Sequence, residues 1–229
     1  MPTIVSIRPS RGTAVFALLT TLTLPAAALG QTPTPPPMEE HQHHEHHTPP
    51  ADAPKIAEKG VKLDIPDIAL VDQDGKPVRF YSDLVKGKVV VVNFIFTTCT
   101  TICPPMGATF GKLQSLLGDR AGRDVHMISV SVDPATDTPE RMKAWGQKFN
   151  AGPGWTLVTG DREQVTQLLK ALGAYTPSIN DHSPLLLVGN DAQDRWTRAY
   201  GLAPPAKMVE LIDKMVASPA HAHHEEGHP

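Results

Sequence analysis

Two cysteines carry the most chemical information in this chain of 229 residues, because they are its only two and just three residues separate them. They lie in Phe96-Thr97-Thr98-Cys99-Thr100-Thr101-Ile102-Cys103-Pro104-Pro105. A disulfide closing so short a loop removes little entropy from the unfolded chain, so stapling the fold is a poor reason for the pair. Chemistry is the better one. In a helical turn, a four-residue offset sets the two sulfurs about one turn apart. From there they can share one metal ion or, after a small movement, join as a redox disulfide. Thiolates are soft donors that select soft ions such as Cu(I). Closed structural zinc sites want four ligands, and the folded region offers too few. The interval also differs from the two-residue spacing of ordinary thioredoxin-type pairs. Pro104 suits the first turn of a helix. That places Cys103 at a helix N-terminus, as an exposed thiol with its pKa lowered by the dipole and the free amides.

Of the eleven histidines, only His126 and His182 fall inside the part patterned for folding. His126 sits in an apolar, β-rich run and reads as a strand residue. His182 sits in Asn180-Asp181-His182-Ser183-Pro184, a polar loop feeding an apolar strand. Imidazole is a suitable third ligand for copper and accommodates Cu(II) better than thiolates alone. Asp181 is its sequence neighbour and a candidate to orient the ring. The residues alone leave His182 open between a metal ligand and an ordinary loop histidine.

The elements that must position these groups alternate between strand and helix signals over 61–217. Segments 67–71 and 77–80 flank a hairpin turn, and 82–85 reads as a short helical turn. A near-continuous apolar strand at 89–96 leads into the cysteines and then a helix at 104–117. A second buried strand spans 125–132. The next helix runs over 138–149, with Asp137 or Thr138 as its cap and Pro139 in its first turn. A short strand at 155–158, a helix at 162–172, a strand pair at 185–188 and 196–200, and a closing helix at 205–216 complete the pattern. A parallel β-α-β unit followed by an antiparallel pair and a helix matches a thioredoxin-like α/β fold, a central mixed sheet flanked by helices with an N-terminal hairpin extension. The cysteine pair then lies where a central strand hands over to its helix, the usual position of a site in an open α/β sheet.

The ends read differently. Residues 1–30 form a signal peptide or N-terminal anchor, with Arg8 and Arg11, a short apolar run from Thr13 to Leu24, and small residues at 26–30. The run falls short of the roughly 20 residues that span a bilayer, so membrane association is expected through this segment only. Export to the periplasm, or to the outer face of the inner membrane, follows. No cysteine lies near the cleavage region, which argues against a lipid anchor there. Residues 31–60 hold a Pro- and His-rich tail, with His41, His43, His44, His46 and His47. Residues 218–229 mirror it with His221, His223, His224 and His228. Both are expected to be disordered, with the histidines collecting metal weakly.

These residues resemble the Sco/SenC family of copper chaperones. The resemblance rests on Cys99-x-x-x-Cys103-Pro104 after an apolar strand, on Ser131-Val132-Asp133-Pro134-x-x-Asp137-Thr138-Pro139, and on Asp181-His182-Ser183. It implies a thioredoxin fold in which Cys99, Cys103 and His182 bind copper, as Cu(I) or Cu(II). It also implies delivery of that copper to the CuA centre in the copper-bearing subunit of a cytochrome c oxidase. Thr100 departs from the pattern, since many members carry proline after the first cysteine. Asp133 and Asp137 read as structural, shaping a turn and capping a helix. Cysteines outside the cytoplasm oxidise, so a thiol reductant partner is also expected.

Two rivals use the same cysteines. A thiol–disulfide oxidoreductase would reduce the recipient's cysteines and need no His182. A peroxiredoxin-like enzyme would need a supporting arginine beside Cys99, and none is evident. The net charge of −3 excludes the strongly basic face that nucleic-acid binding requires.

Overall fold

The computed structural model describes residues 60–217. The leader expected at 1–30, the tail expected at 31–60 apart from its last residue, and the tail expected at 218–229 lie outside the described residues.

The sheet grows outward from one strand. β3 (Val89–Ile95) reads Val-Val-Val-Val-Asn-Phe-Ile, β-branched and apolar on both faces, and it is buried almost throughout. Its side chains alternate between two cores. Val91 and Ile95 join a cluster with the helices α1 (Cys103–Leu117), α2 (Pro139–Lys148) and α4 (Pro205–Ala217). Val90, Val92 and Phe94 face α3 (Arg162–Leu172) and a turn of π-helix at Phe80–Val85. Asn93 is the polar exception, and its carbonyl oxygen accepts a hydrogen bond from Ser129 at 2.6 Å.

β3 pairs in parallel with β4 (Val125–Ser131), which pairs in parallel with β5 (Trp155–Thr159). On the other side β3 pairs antiparallel with β6 (Leu185–Asn190), and β6 with β7 (Arg195–Tyr200). The N-terminal hairpin, β1 (Ala69–Asp72) with β2 (Pro77–Arg79), extends the far edge by pairing β1 antiparallel to β5. The full order is β2-β1-β5-β4-β3-β6-β7. This is the expected mixed thioredoxin-like sheet with helices on both faces.

Local signals set the helix ends. Asp161 accepts the amides of Glu163 and Gln164 to start α3, and Gly173, at φ 69°, ends it in the left-handed conformation that glycine adopts without strain. Thr138 caps α2 through the amide of Arg141. Asp137 is not the cap. It is buried and turned the other way, toward the cysteine loop, so its expected capping role is corrected here.

One pairing decides where the site forms. Because β3 and β6 run antiparallel with Asn93 opposite Leu186, the end of β3 lies beside the start of β6. The segments carrying the cysteines and His182 therefore emerge at the same end of the sheet. Among the described residues, no helix is long and apolar enough to cross a membrane.

Candidate metal centre

β3 stops at Ile95, and the amide of Cys99 donates to the Phe96 carbonyl to make a tight turn at 3.2 Å. The chain then enters α1, whose first helical residue is Cys103 with two prolines directly behind it. The amide of Cys103 donates to the sulfur of Cys99 at 3.3 Å. That amide is one of the free N–H groups at the helix start, so the helix N-terminus serves Cys99 rather than Cys103. The Thr101 hydroxyl lies 3.7 Å from the same sulfur. Both cysteines are free thiols.

Two expectations need correction. The cysteines are not exposed: Cys103 is fully buried and Cys99 is 9% accessible, both inside the α1–α4 core. Nor is Cys103 the acidic member. Burial pushes its thiol up to about 12, with the neighbouring Cys99 and the Asp137 carboxylate adding to the effect against a hydrogen bond with the Phe96 backbone. Burial also pushes Cys99 up, but hydrogen bonds with Cys103 and Thr101 outweigh it and hold this thiol below its ordinary value. The sequence located the helix start correctly; which sulfur the free amide meets depends on the loop in front of it.

His182 follows a single 3-10 turn, Ile179–Asp181, and leads through Ser183 and Pro184 into β6. It is buried, 7% accessible, and its ring stands edge-on to Phe96 with centroids 6.5 Å apart. Phe96 also belongs to the same buried cluster as Cys99 and Cys103. Neither ring nitrogen of His182 has a hydrogen-bond partner. Buried polar atoms are nearly always paired, so two orphaned nitrogens on one ring need an explanation. Burial lowers the pKa of the ring and favours the neutral form, the form that binds metals.

Asp181 does not orient that ring. It is exposed while His182 points inward, and no hydrogen bond joins them. His126 lies half-buried in β4, opposite Val90, on the strand as expected. Asp133 shapes the turn before α2, its carbonyl accepting the amides of Thr136 and Asp137.

Two adjacent sulfurs and a neutral, unpartnered imidazole make a soft donor set that suits a copper ion. Among the described residues, no three His, Cys, Asp or Glu side chains stand close enough to grip an ion as placed. For Cys99, Cys103 and His182 to hold one ion together, the loop between α3 and β6 or the cysteine loop would have to move.

The carboxylate of Asp137 was missed as part of this centre. It accepts the Thr97 amide at 3.0 Å, the Thr97 hydroxyl at 2.6 Å and the Ser131 hydroxyl at 2.6 Å. The motif that contains it does not show that it bonds Thr97, which lies 40 residues away.

A family model for SCO1/SenC matches residues 60–217, the whole described region. The fold is similar to that of a SCO1/SenC family lipoprotein from Bacillus anthracis at 32% identity and a TM-score of 0.60, covering 69% of this chain and 97% of that one. It is also similar to BsSco, described as a member of the Sco family of cytochrome c oxidase assembly proteins with a disulfide switch. There the identity is 27%, the TM-score 0.59 and the coverage 71% and 98%. ScoI from Bradyrhizobium japonicum, solved with copper bound, matches at 25% identity and a TM-score of 0.57 over 66% and 99%. The family match spans most of the chain and all of its described part, including the cysteine pair and His182. The chain belongs to the SCO1/SenC family.

Proposed function

We propose that this protein is a copper metallochaperone that carries one ion on Cys99, Cys103 and His182 and hands it to the CuA centre of a cytochrome c oxidase. The observation that carries the reading is the buried His182 ring, with both nitrogens unpartnered and edge-on to Phe96, at the end of the sheet that also carries two free thiols. Copper bound to the Bradyrhizobium relative and the assembly role given for BsSco support it.

Cys99, whose thiolate is favoured by the helix amide, meets the ion first. Cys103 loses its proton only as the metal charge arrives, because burial opposes an isolated thiolate there. His182 supplies a neutral third donor without adding charge to a dry site. A low-coordinate ion held this way is open to exchange, ligand by ligand, with thiolates of a recipient. The domain works outside the cytoplasm, tethered or released at its N-terminal segment; the Bacillus anthracis lipoprotein supports an extracytoplasmic setting.

A second reading has its own support. The thiols are unequal, one held low and its neighbour pushed up to about 12, as in a pair where one sulfur attacks and the other resolves. On that reading the protein keeps recipient cysteines reduced, and a thiol reductant partner regenerates it.

Anaerobic titration with Cu(I) against a competing chelator separates the two. The reduced chain is expected to bind one ion, with Cys99→Ala and Cys103→Ala losing it and His182→Ala weakening it at least tenfold. Unchanged affinity in His182→Ala would favour the oxidoreductase. Absence of Cu(I) binding by the reduced wild type would remove the chaperone reading.

A further inference from the structure

One buried ionisable group at this end of the molecule has no part in the function just described. Asp137 is 1% accessible, and both of its carboxylate oxygens are occupied. One takes the amide and the hydroxyl of Thr97 together; the other takes the hydroxyl of Ser131. No lysine or arginine among the described residues pairs with it, since the ion pairs found there all lie elsewhere.

Its partners give it a purpose. Thr97 is the second residue beyond β3 and stands two residues before Cys99, so it is the root of the loop that presents the sulfurs. Ser131 is the last residue of β4, the parallel neighbour of β3. The Ser131 hydroxyl also accepts the amide of Asp133, which holds the turn that delivers Asp137. The carboxylate thus ties the free end of the cysteine loop to the frame of the sheet. A helix cap would not need burial, and a surface turn would not need a hydrogen bond to a residue 40 positions away.

We propose that Asp137 is a positioning residue for the Cys99–Cys103 pair, holding Thr97 so that the two sulfurs stay in reach of each other and of one ion. This deepens the reading above and rests on it. A fixed loop raises the effective concentration of one sulfur toward the other, and a loosened loop lowers it. Closing the pair converts two thiols into one disulfide with release of two protons and two electrons, which oxidised glutathione accepts to become two reduced glutathiones.

The test is the equilibrium constant for that closure in glutathione redox buffers, measured on the full chain. Asp137→Ala is expected to lower it at least tenfold, which is about 30 mV for a two-electron couple. Asp137→Asn is expected to recover most of the loss. Its carbonyl still accepts from Thr97, and the Ser131 hydroxyl can turn to accept from its amide. Thr97→Val, which keeps the backbone amide and drops the hydroxyl, is expected to fall between them. A merely structural role would move the melting temperature and leave the equilibrium constant alone. A folded Asp137→Ala with the wild-type constant would overturn the proposal, as would Asp137→Asn failing as badly as alanine. Should the alanine variant not fold, an unchanged constant in Thr97→Val overturns it instead. A wild-type chain that neither closes the disulfide nor takes up Cu(I) would sink the site reading itself, and this inference with it.

Discussion

At the scale of single residues, the unequal thiols make the sharpest prediction. Cys99 is held below the ordinary thiol value by hydrogen bonds that outweigh its burial, and Cys103 is pushed up to about 12 by burial. The thiolate is the reactive form. Iodoacetamide at pH 8 is therefore expected to label Cys99 at least tenfold faster than Cys103, read by mass spectrometry of the peptides. Equal rates would refute the assignment of roles. His126 gives a pH prediction. Burial, and then Lys88, lower its pKa in the fold below the unfolded value near 6.5. Between those values the unfolded chain binds the proton that the folded chain refuses, so stability is present above about pH 6.5 and drains away as pH falls. The loss of melting temperature between pH 7.5 and 5.5 is expected to be smaller in His126→Gln than in the wild type. An equal or larger loss would contradict it.

At the scale of elements, the helix that carries Cys103 is held by close packing. Gly107 and Gly111 lie one turn apart on α1, and both face Phe149 at the end of α2. A methyl group on Gly111 would run into the Phe149 carbonyl oxygen, which is backbone and cannot swing aside. Gly111→Ala is expected to cost about 1–3 kcal/mol of stability by urea unfolding, as overpacking does. A neutral substitution would mean that α2 can shift. This contact was not legible in the sequence, where both glycines only weaken a helix signal. Much else was legible, for a physical reason. β3, β4 and the start of β6 are apolar on both faces, so their patterns mark buried strands without knowledge of the fold. Asp161 and Gly173 bracket α3 by local chemistry alone. What the sequence hid were groups whose partners come from another element. Asp137 carries the polarity of a cap but bonds across to Thr97, and Cys103 heads a helix whose amide serves the sulfur before it. Local rules read the position of each group correctly and its partner wrongly.

At the scale of the whole molecule, the proposed ligands come from two chain segments that meet only because β3 and β6 pair antiparallel. A site of that kind does not exist in the unfolded chain, so an ion bound there stabilises the fold as a whole. At free Cu(I) one hundred times its dissociation constant the gain is about 2.7 kcal/mol. For a domain of roughly 150–250 residues each kcal/mol moves the melting temperature by about 2–4 °C, so the reduced wild type is expected to melt about 5–10 °C higher with Cu(I) than without. The size of the shift in each variant then reports which segment contributes. Cys99→Ala and Cys103→Ala should lose it entirely, because either change leaves one sulfur at the end of β3. His182→Ala should keep part of it, because the two sulfurs still share one loop while the link to β6 is gone. The sequence also offers histidines at 41–47 and 221–228, expected to collect metal weakly. An ion that bound folded and unfolded chains alike would move the melting temperature little. A full shift surviving in Cys103→Ala would place the stabilising ion away from the cysteines and would end the case for a centre built between these two strands.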